Sequence, residues 1–169
     1  YSNQPKIVQW NLARLAETLL IYLDKDLKSA VHLAEELINQ FPKIYNRKWL
    51  KMMSSKLGLY GLDKDDDQLI SELLHWMHKN KADFTNTFRD LSQRDKPSGY
   101  LYENTDFAEW YHRWQIRLKR NTGSISASID LMKSVNPAVI PRNHNVERVL
   151  QAALQSNFEP FKDLLSALS

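Results

Sequence analysis

Apolar side chains recur along this chain at intervals of three and four residues almost without interruption. Val8, Leu12, Leu15, Leu19 and Leu23 step by four, three, four and four, which predicts a helix with these residues on its core face. Pro5 suits the first turn of that helix, where its missing N–H would have no partner in any case. From about Asp26, the residues Leu27, Ala30, Val31, Ala34, Leu37 and Ile38 predict a second inward-facing stripe, ended by Phe41-Pro42. Ile44, Tyr45, Trp49, Met52, Met53 and Leu57 predict a third helix, stopped by Gly58 as a left-handed C-cap.

Beyond the loop Gly58 to Lys64, Leu69, Ile70, Leu73, Leu74 and Met77 carry a fourth stripe. A short helix is expected from Asp83 to Leu91, and residues 92–104, with Pro97 and Gly99, form the longest loop. Asp106 and Glu109 predict a capping box for a helix holding Phe107, Trp110, Tyr111, Trp114 and Leu118. The next helix, Ile125 to Val135, is broken by Asn136-Pro137, and Pro141 keeps the adjoining stretch extended. Two last helices carry Val146, Val149, Leu150, Ala153 and Leu154, then Phe161, Leu164, Leu165 and Leu168. No strand-like alternation of useful length interrupts this pattern, and no tetratricopeptide period emerges. The prediction is an all-α, bundle-like chain.

Composition narrows the chemistry. Four glycines in 169 residues leave few places for tight turns or phosphate-cradling loops. The absence of cysteine removes disulfides and thiolate metal sites, and fits a cytoplasmic setting. The net charge of +3 is spread along the chain, and only Arg113, Arg117, Lys119 and Arg120 cluster. On a helix that run reads as the solvated C-terminal end, so no nucleic acid is expected as a partner. The longest apolar run, Leu19 to Leu23, is too short to cross a bilayer, and no membrane partner is expected. The first residue is Tyr1 rather than Met, which predicts a piece of a longer protein.

Candidate sites fail on their own terms. Asp63, Asp65 and Asp67 alternate like the first ligands of a calcium loop. Yet Gln68 stands where the turn requires Gly, and Leu74 where the bidentate Glu belongs. Aspartates ahead of a helix serve its positive end instead. His75 and His78 lie three apart without an evident third ligand, His112 and His144 are isolated, and His32 lies between core positions. No Gly-x-Ser-x-Gly elbow aims a serine, and no Gly-rich phosphate loop occurs. The spacing of Trp110, Tyr111 and Trp114 is that of a buried stripe. No catalytic, cofactor-binding or metal-binding residue is assigned on these grounds.

Five stretches, in order, resemble one family. Tyr1-Ser2-Asn3-Gln4-Pro5 is followed by Trp10-Asn11-Leu12-Ala13-Arg14-Leu15-Ala16, and then by Lys56-Leu57-Gly58. Asp83 to Ser92 is similar to a "DYTxTFRxLS" pattern, and Asn136-Pro137 with Arg142-Asn143 to "NPxxxxRN". Asn157-Phe158 leading into Leu164-Leu165 is similar to "GDFxxLxxLL", with Asn where Gly-Asp is common. Together they resemble the selenoprotein O (UPF0061) protein adenylyltransferases, along essentially the whole chain.

That resemblance implies a protein-kinase-like, pseudokinase fold transferring AMP from ATP to Ser, Thr or Tyr hydroxyls of other proteins, with Mg2+ or Mn2+. The family's Gly-rich loop, Lys–Glu pair and metal ligands, the last near a "DYGPFGF" segment, precede the point where this chain starts. By that reading residues 1–91 are helices of the C-lobe, 92–104 a loop and 105–169 a helical C-terminal extension, none of them catalytic alone. The partners implied are the missing N-terminal kinase-like lobe and protein substrates. Self-association is expected through an apolar face around Ile7, Trp10 and Leu20, left open without that lobe. A bacterial-type cytoplasmic parent is expected, or a mitochondrial one if eukaryotic. Asn11 and Arg14, three apart beside the core-facing Leu12 and Leu15, are the candidates for supporting the catalytic segments from beneath. The competing reading is a free-standing helical protein-interaction module.

Overall fold

The computed structural model describes residues 3–61 and 63–168, and every regular element among them is helical. The opening Tyr1-Ser2 of the first family-like stretch lies outside the described residues. The chain divides into two units, Tyr1–Met53 and Ser54–Ser169.

The first unit holds α1 (Gln4–Leu23), α2 (Leu27–Asn39) and most of α3 (Phe41–Lys56). Pro5 stands in the first turn of α1 as expected. The Asp26 carboxylate accepts the Ser29 amide at 2.9 Å and caps α2. Pro42 does more than end α2. After the single residue Gln40 it sits in the first turn of α3, where a missing N–H costs nothing. α1 and α2 pack as an antiparallel pair, with the Gln9 amide donating to the Ile38 carbonyl at 3.4 Å.

The face that α1 turns to α2 is not the expected one. Its half-buried positions are Pro5, Gln9, Ala13, Ala16 and Leu20, set against the buried Ala30 and Ala34 of α2. Small side chains let the two backbones approach closely, so alanines rather than leucines choose the interface. The stripe Val8, Leu12, Leu15, Leu19 and Leu23 is exposed, Leu15 by 54%. Leu27, Val31 and Leu37, predicted to face inward on α2, are exposed as well.

The second unit contains α4 (Asp66–Lys79), α5 (Phe84–Leu91), α6 (Thr105–Lys119), α7 (Ile125–Val135), α8 (Asn143–Leu154) and α9 (Glu159–Leu168). Its centre is the α4–α6 pair, flanked by α5 and α7, while α8 and α9 form a hairpin of their own. The core is aromatic. Trp76 meets Phe107 with centroids 4.8 Å apart, and Trp110 stacks on Trp114 at 5.8 Å and 11°. Each such pair contributes about 0.5–1.5 kcal/mol beyond the area it buries. Buried indole N–H groups need acceptors, and all three find one. Trp110 donates to the Leu69 carbonyl at 2.8 Å, Trp114 to the Leu57 carbonyl at 3.0 Å, and Trp76 to the Asn104 side chain at 3.2 Å.

Asn104, not Asp106, caps α6, accepting the Phe107 amide at 2.8 Å. Asp106 lies inside the helix and pairs with Lys79 at 2.8 Å. Within residues 92–104 a 3-10 turn, Tyr100–Tyr102, buries the Tyr102 ring against Trp76 and Phe107. The Tyr102 hydroxyl donates to Asp90 at 2.6 Å, and burial, reinforced by that carboxylate, pushes the phenol well above its ordinary pKa.

Candidate functional site

Three of the family-like stretches converge at one junction in the second unit. α3 ends there in a Schellman turn. Leu59 N–H reaches back to the Ser54 carbonyl at 2.9 Å, and Gly58 takes φ +68°. A Cβ on Gly58 would also stand 2.9 Å from the Ser128 carbonyl of α7, so both the turn and the close approach demand glycine. α5 begins with Asp83 as its cap, accepting the Asn86 amide at 2.8 Å.

Asn136, freed from the helix by Pro137, sits between these elements. Its side-chain amide donates to the Lys56 carbonyl at 2.9 Å and to the Ser92 hydroxyl at 3.0 Å. Lys56 returns the contact, its ammonium 3.2 Å from both the Asn136 Oδ1 and the Val135 carbonyl. The same ammonium lies 5.8 Å from the centre of the Phe84 ring and 5.6 Å from that of Phe88. Burial lowers the Lys56 pKa. Arg89 donates to the Ala138 carbonyl at 2.6 Å, and Arg142 pairs with Asp83 at 3.2 Å. The Asp83 carboxyl is held below its ordinary pKa, first by the Asn86 amide and then by Arg142. The polar groups here are spent on main-chain carbonyls and on one another. That is the chemistry of a clasp that fixes the last turn of α3, at Lys56, to α5 and α7.

A second network pins the loop ahead of α4. Asp66, wholly buried, binds the Arg117 guanidinium through two oxygens at 2.7 and 3.0 Å. Its second oxygen also takes the Asp63 amide at 2.9 Å. Asn121 accepts from Arg117 at 3.0 Å and from the Tyr60 amide at 3.1 Å, and donates to the Gly58 carbonyl at 2.8 Å. A buried pair this fully bonded is costly to break from one side, by about 3–5 kcal/mol.

This network corrects the reading of the basic run. Arg117 is buried in the core rather than solvated, Arg113 pairs with Glu72 at 2.5 Å, and Arg120 with Asp63 at 2.8 Å. The arginines line a cavity of about 200 Å³ together with Asp65 and Asp66. Arg117 carried a signal in the sequence. It continues the spacing of Phe107, Trp110 and Trp114, which puts it on the buried side. Its partner lies 51 residues away and gave none.

His75, His78, His112 and His144 are exposed, and His32, also exposed, has Glu36 at 3.6 Å. Among the described residues no three of His, Asp or Glu gather as a metal site. Asn11 and Arg14 both lie exposed on α1. Arg14 pairs with Glu17 at 2.6 Å and stands 5.7 Å over the Trp10 ring. No described helix is long and apolar enough to cross a membrane.

The junction thus joins residues drawn from three separate stretches of one resemblance, and comparison with known proteins agrees with it. The family model described as "Protein adenylyltransferase SelO" matches residues 1–169. The chain belongs to that family. It is similar to "Protein nucleotidyltransferase YdiU" of Alcanivorax borkumensis, 49% identical over 170 residues, covering all of this chain and 35% of that protein. The protein of the same name from Nitrosococcus oceani is 46% identical over 170 residues, with 34% of its length covered. The one from Pelagibacter ubique is 45% identical over 168 residues, with 35% covered. The chain therefore spans about a third of the length of these SelO relatives.

Proposed function

We propose that this chain is the C-terminal helical scaffold of a cytoplasmic protein adenylyltransferase, non-catalytic alone, whose whole polypeptide moves AMP from ATP to protein hydroxyls with Mg2+ or Mn2+. The observation that carries the reading is a family match along every residue of a chain only a third as long as its relatives. The clasp at Lys56, Asp83, Arg89 and Asn136 supports it, because family-like residues there hold helices together. In this reading residues 1–91 belong to a kinase-like C-lobe and 105–169 to an extension beyond it.

The test is transfer of labelled AMP by the chain alone and by a full-length polypeptide. The latter joins this chain to the rest of the Alcanivorax borkumensis relative. No transfer and no Mg-ATP binding is expected for the first, and transfer for the second. Micromolar ATP binding by the chain alone overturns the scaffold reading. A joined protein that folds but transfers nothing favours the free-standing interaction module. By sedimentation, the chain alone should self-associate through α1.

Asn11 and Arg14 act in this scheme as positioning residues, holding loops of the absent lobe by their side-chain donors. In the joined protein, Asn11→Ala and Arg14→Ala should lower kcat with melting unchanged. Full activity in both variants removes the role, and a matching loss of stability reduces it to packing.

A further inference from the structure

Within α1 the unpartnered apolar residues fall on two sides rather than one. At about 100° per residue, Tyr22, Leu15, Val8, Leu19, Leu12 and Leu23 fill an arc of about 100°, while Trp10, Ile21 and Ile7, with Arg14 among them, fill another of about 60°. Asn11 and Thr18 separate the two bands, and the α2-facing side borders the first. All nine apolar residues are exposed, Ile21 by 76% and Tyr22 by 80%. The second band carries one ion pair with it: Arg14 lies between Ile21 and Ile7 and holds Glu17, at the band's edge, at 2.6 Å, so this pair goes under cover already bonded. The helix carries Lys6, Arg14 and Glu17 alone, and the last two neutralise each other.

A helix with apolar residues on two sides besides the one its partner helix covers belongs in the interior of a larger body. We infer that both bands of α1 are packing surfaces for the rest of the family polypeptide, which encloses this helix in cis on the two sides α2 leaves open. The inference deepens the adenylyltransferase reading and rests on it. Two observations choose this occupant over a second copy. A two-fold dimer contact uses one self-complementary patch, which accounts for one band and leaves the other in water. The relatives carry roughly two-thirds of their length beyond the part matched here, ample chain to cover both. Asn11, between the bands, is then drawn under cover with them.

The chain has no cysteine of its own, so single cysteines introduced into it report burial cleanly. Leu15→Cys and Ile21→Cys, one per band, are placed in the joined full-length polypeptide with its other cysteines changed to serine. Maleimide labelling is timed in buffer and in urea. Both sites should react on the order of a hundredfold more slowly in buffer than when unfolded, at every protein concentration. Rapid labelling at either site overturns the inference, and slowing that appears only as concentration rises assigns the cover to a second copy. If Leu15→Cys prevents folding, Leu19→Cys reads the same band, and Trp10→Cys substitutes for Ile21→Cys. AMP transfer measured on the same preparations separates the two claims. Slow labelling without transfer sinks the enzyme reading alone, whereas transfer with rapid labelling sinks the packing surface alone.

Discussion

Between Gln4 and Asn39 the buried side chains are Ala30 and Ala34; between Leu57 and Met132 they include Ile70, Leu73, Trp76, Phe88, Phe107, Trp110 and Trp114. The first stretch is the more apolar of the two as a sequence, so the contrast lies in what surrounds each side chain. In the second unit α4 and α6 bury Leu69, Ile70, Leu73, Trp76, Met77, Phe107, Trp110, Trp114 and Leu118, leaving Ile116 exposed, and the buried indoles are bonded as well. In the first, α1 offers apolar surface in more directions than α2 can cover. Amphipathic periodicity therefore measures the demand for burial, and only packing shows whether the demand is met.

The sharpest way to break this contrast is inside the second unit. Asp66→Ala leaves the Arg117 guanidinium buried without its carboxylate and should cost about 3–5 kcal/mol in urea unfolding. A loss under about 1 kcal/mol would show that water reaches Arg117 after all. Next comes a matched pair. Leu73→Ala, at a fully buried position, should cost about 2–5 kcal/mol. Leu15→Ala in the isolated chain should change stability by less than about 0.5 kcal/mol while weakening self-association. Equal losses would erase the distinction between the units.

Gly58→Ala forces a side chain into both a left-handed turn and the Ser128 carbonyl, and about 2 kcal/mol should be lost. Unchanged melting there would mean that α7 can retreat. The smallest effect has the opposite sign. Ser156 holds φ +61° where α8 turns into α9, so Ser156→Gly should stabilise that hairpin by about 0.5–1 kcal/mol. Hydrogen exchange in α8 measures it, and faster exchange would refute it.

The sequence foretold these elements unevenly, and for physical reasons. Stops written in local chemistry were legible. Asn136-Pro137 ends α7 at Val135, Gly58 ends the turn after α3, and Pro5 opens α1. Choices between partners were not. Nothing near Ala13 and Ala16 indicates that close approach would outweigh the larger leucine stripe. Asn104 and Asp106 are both residue types that cap helices, and the Trp76 indole that also donates to the Asn104 cap lies 28 residues away in the sequence. Of the candidate site, the family-like stretches were visible one by one. Their union through Asn136 joins residues 44 and 80 positions apart, a distance over which periodicity carries no information.

The tryptophans give the two units different colours. Trp110 and Trp114 lie stacked and nearly parallel, shut away from water with their N–H groups held by carbonyl oxygens. Trp10 stands 60% open on α1 beside the Arg14 cation. Light emitted from the stacked pair belongs at shorter wavelength, with a circularly polarised signature of coupled rings. Emission from Trp10 belongs at longer wavelength and is open to quenching by dissolved iodide. Iodide quenching thus singles out Trp10 from the stacked pair, and a partner that settles on α1 shields it from the quencher and moves its emission to the blue.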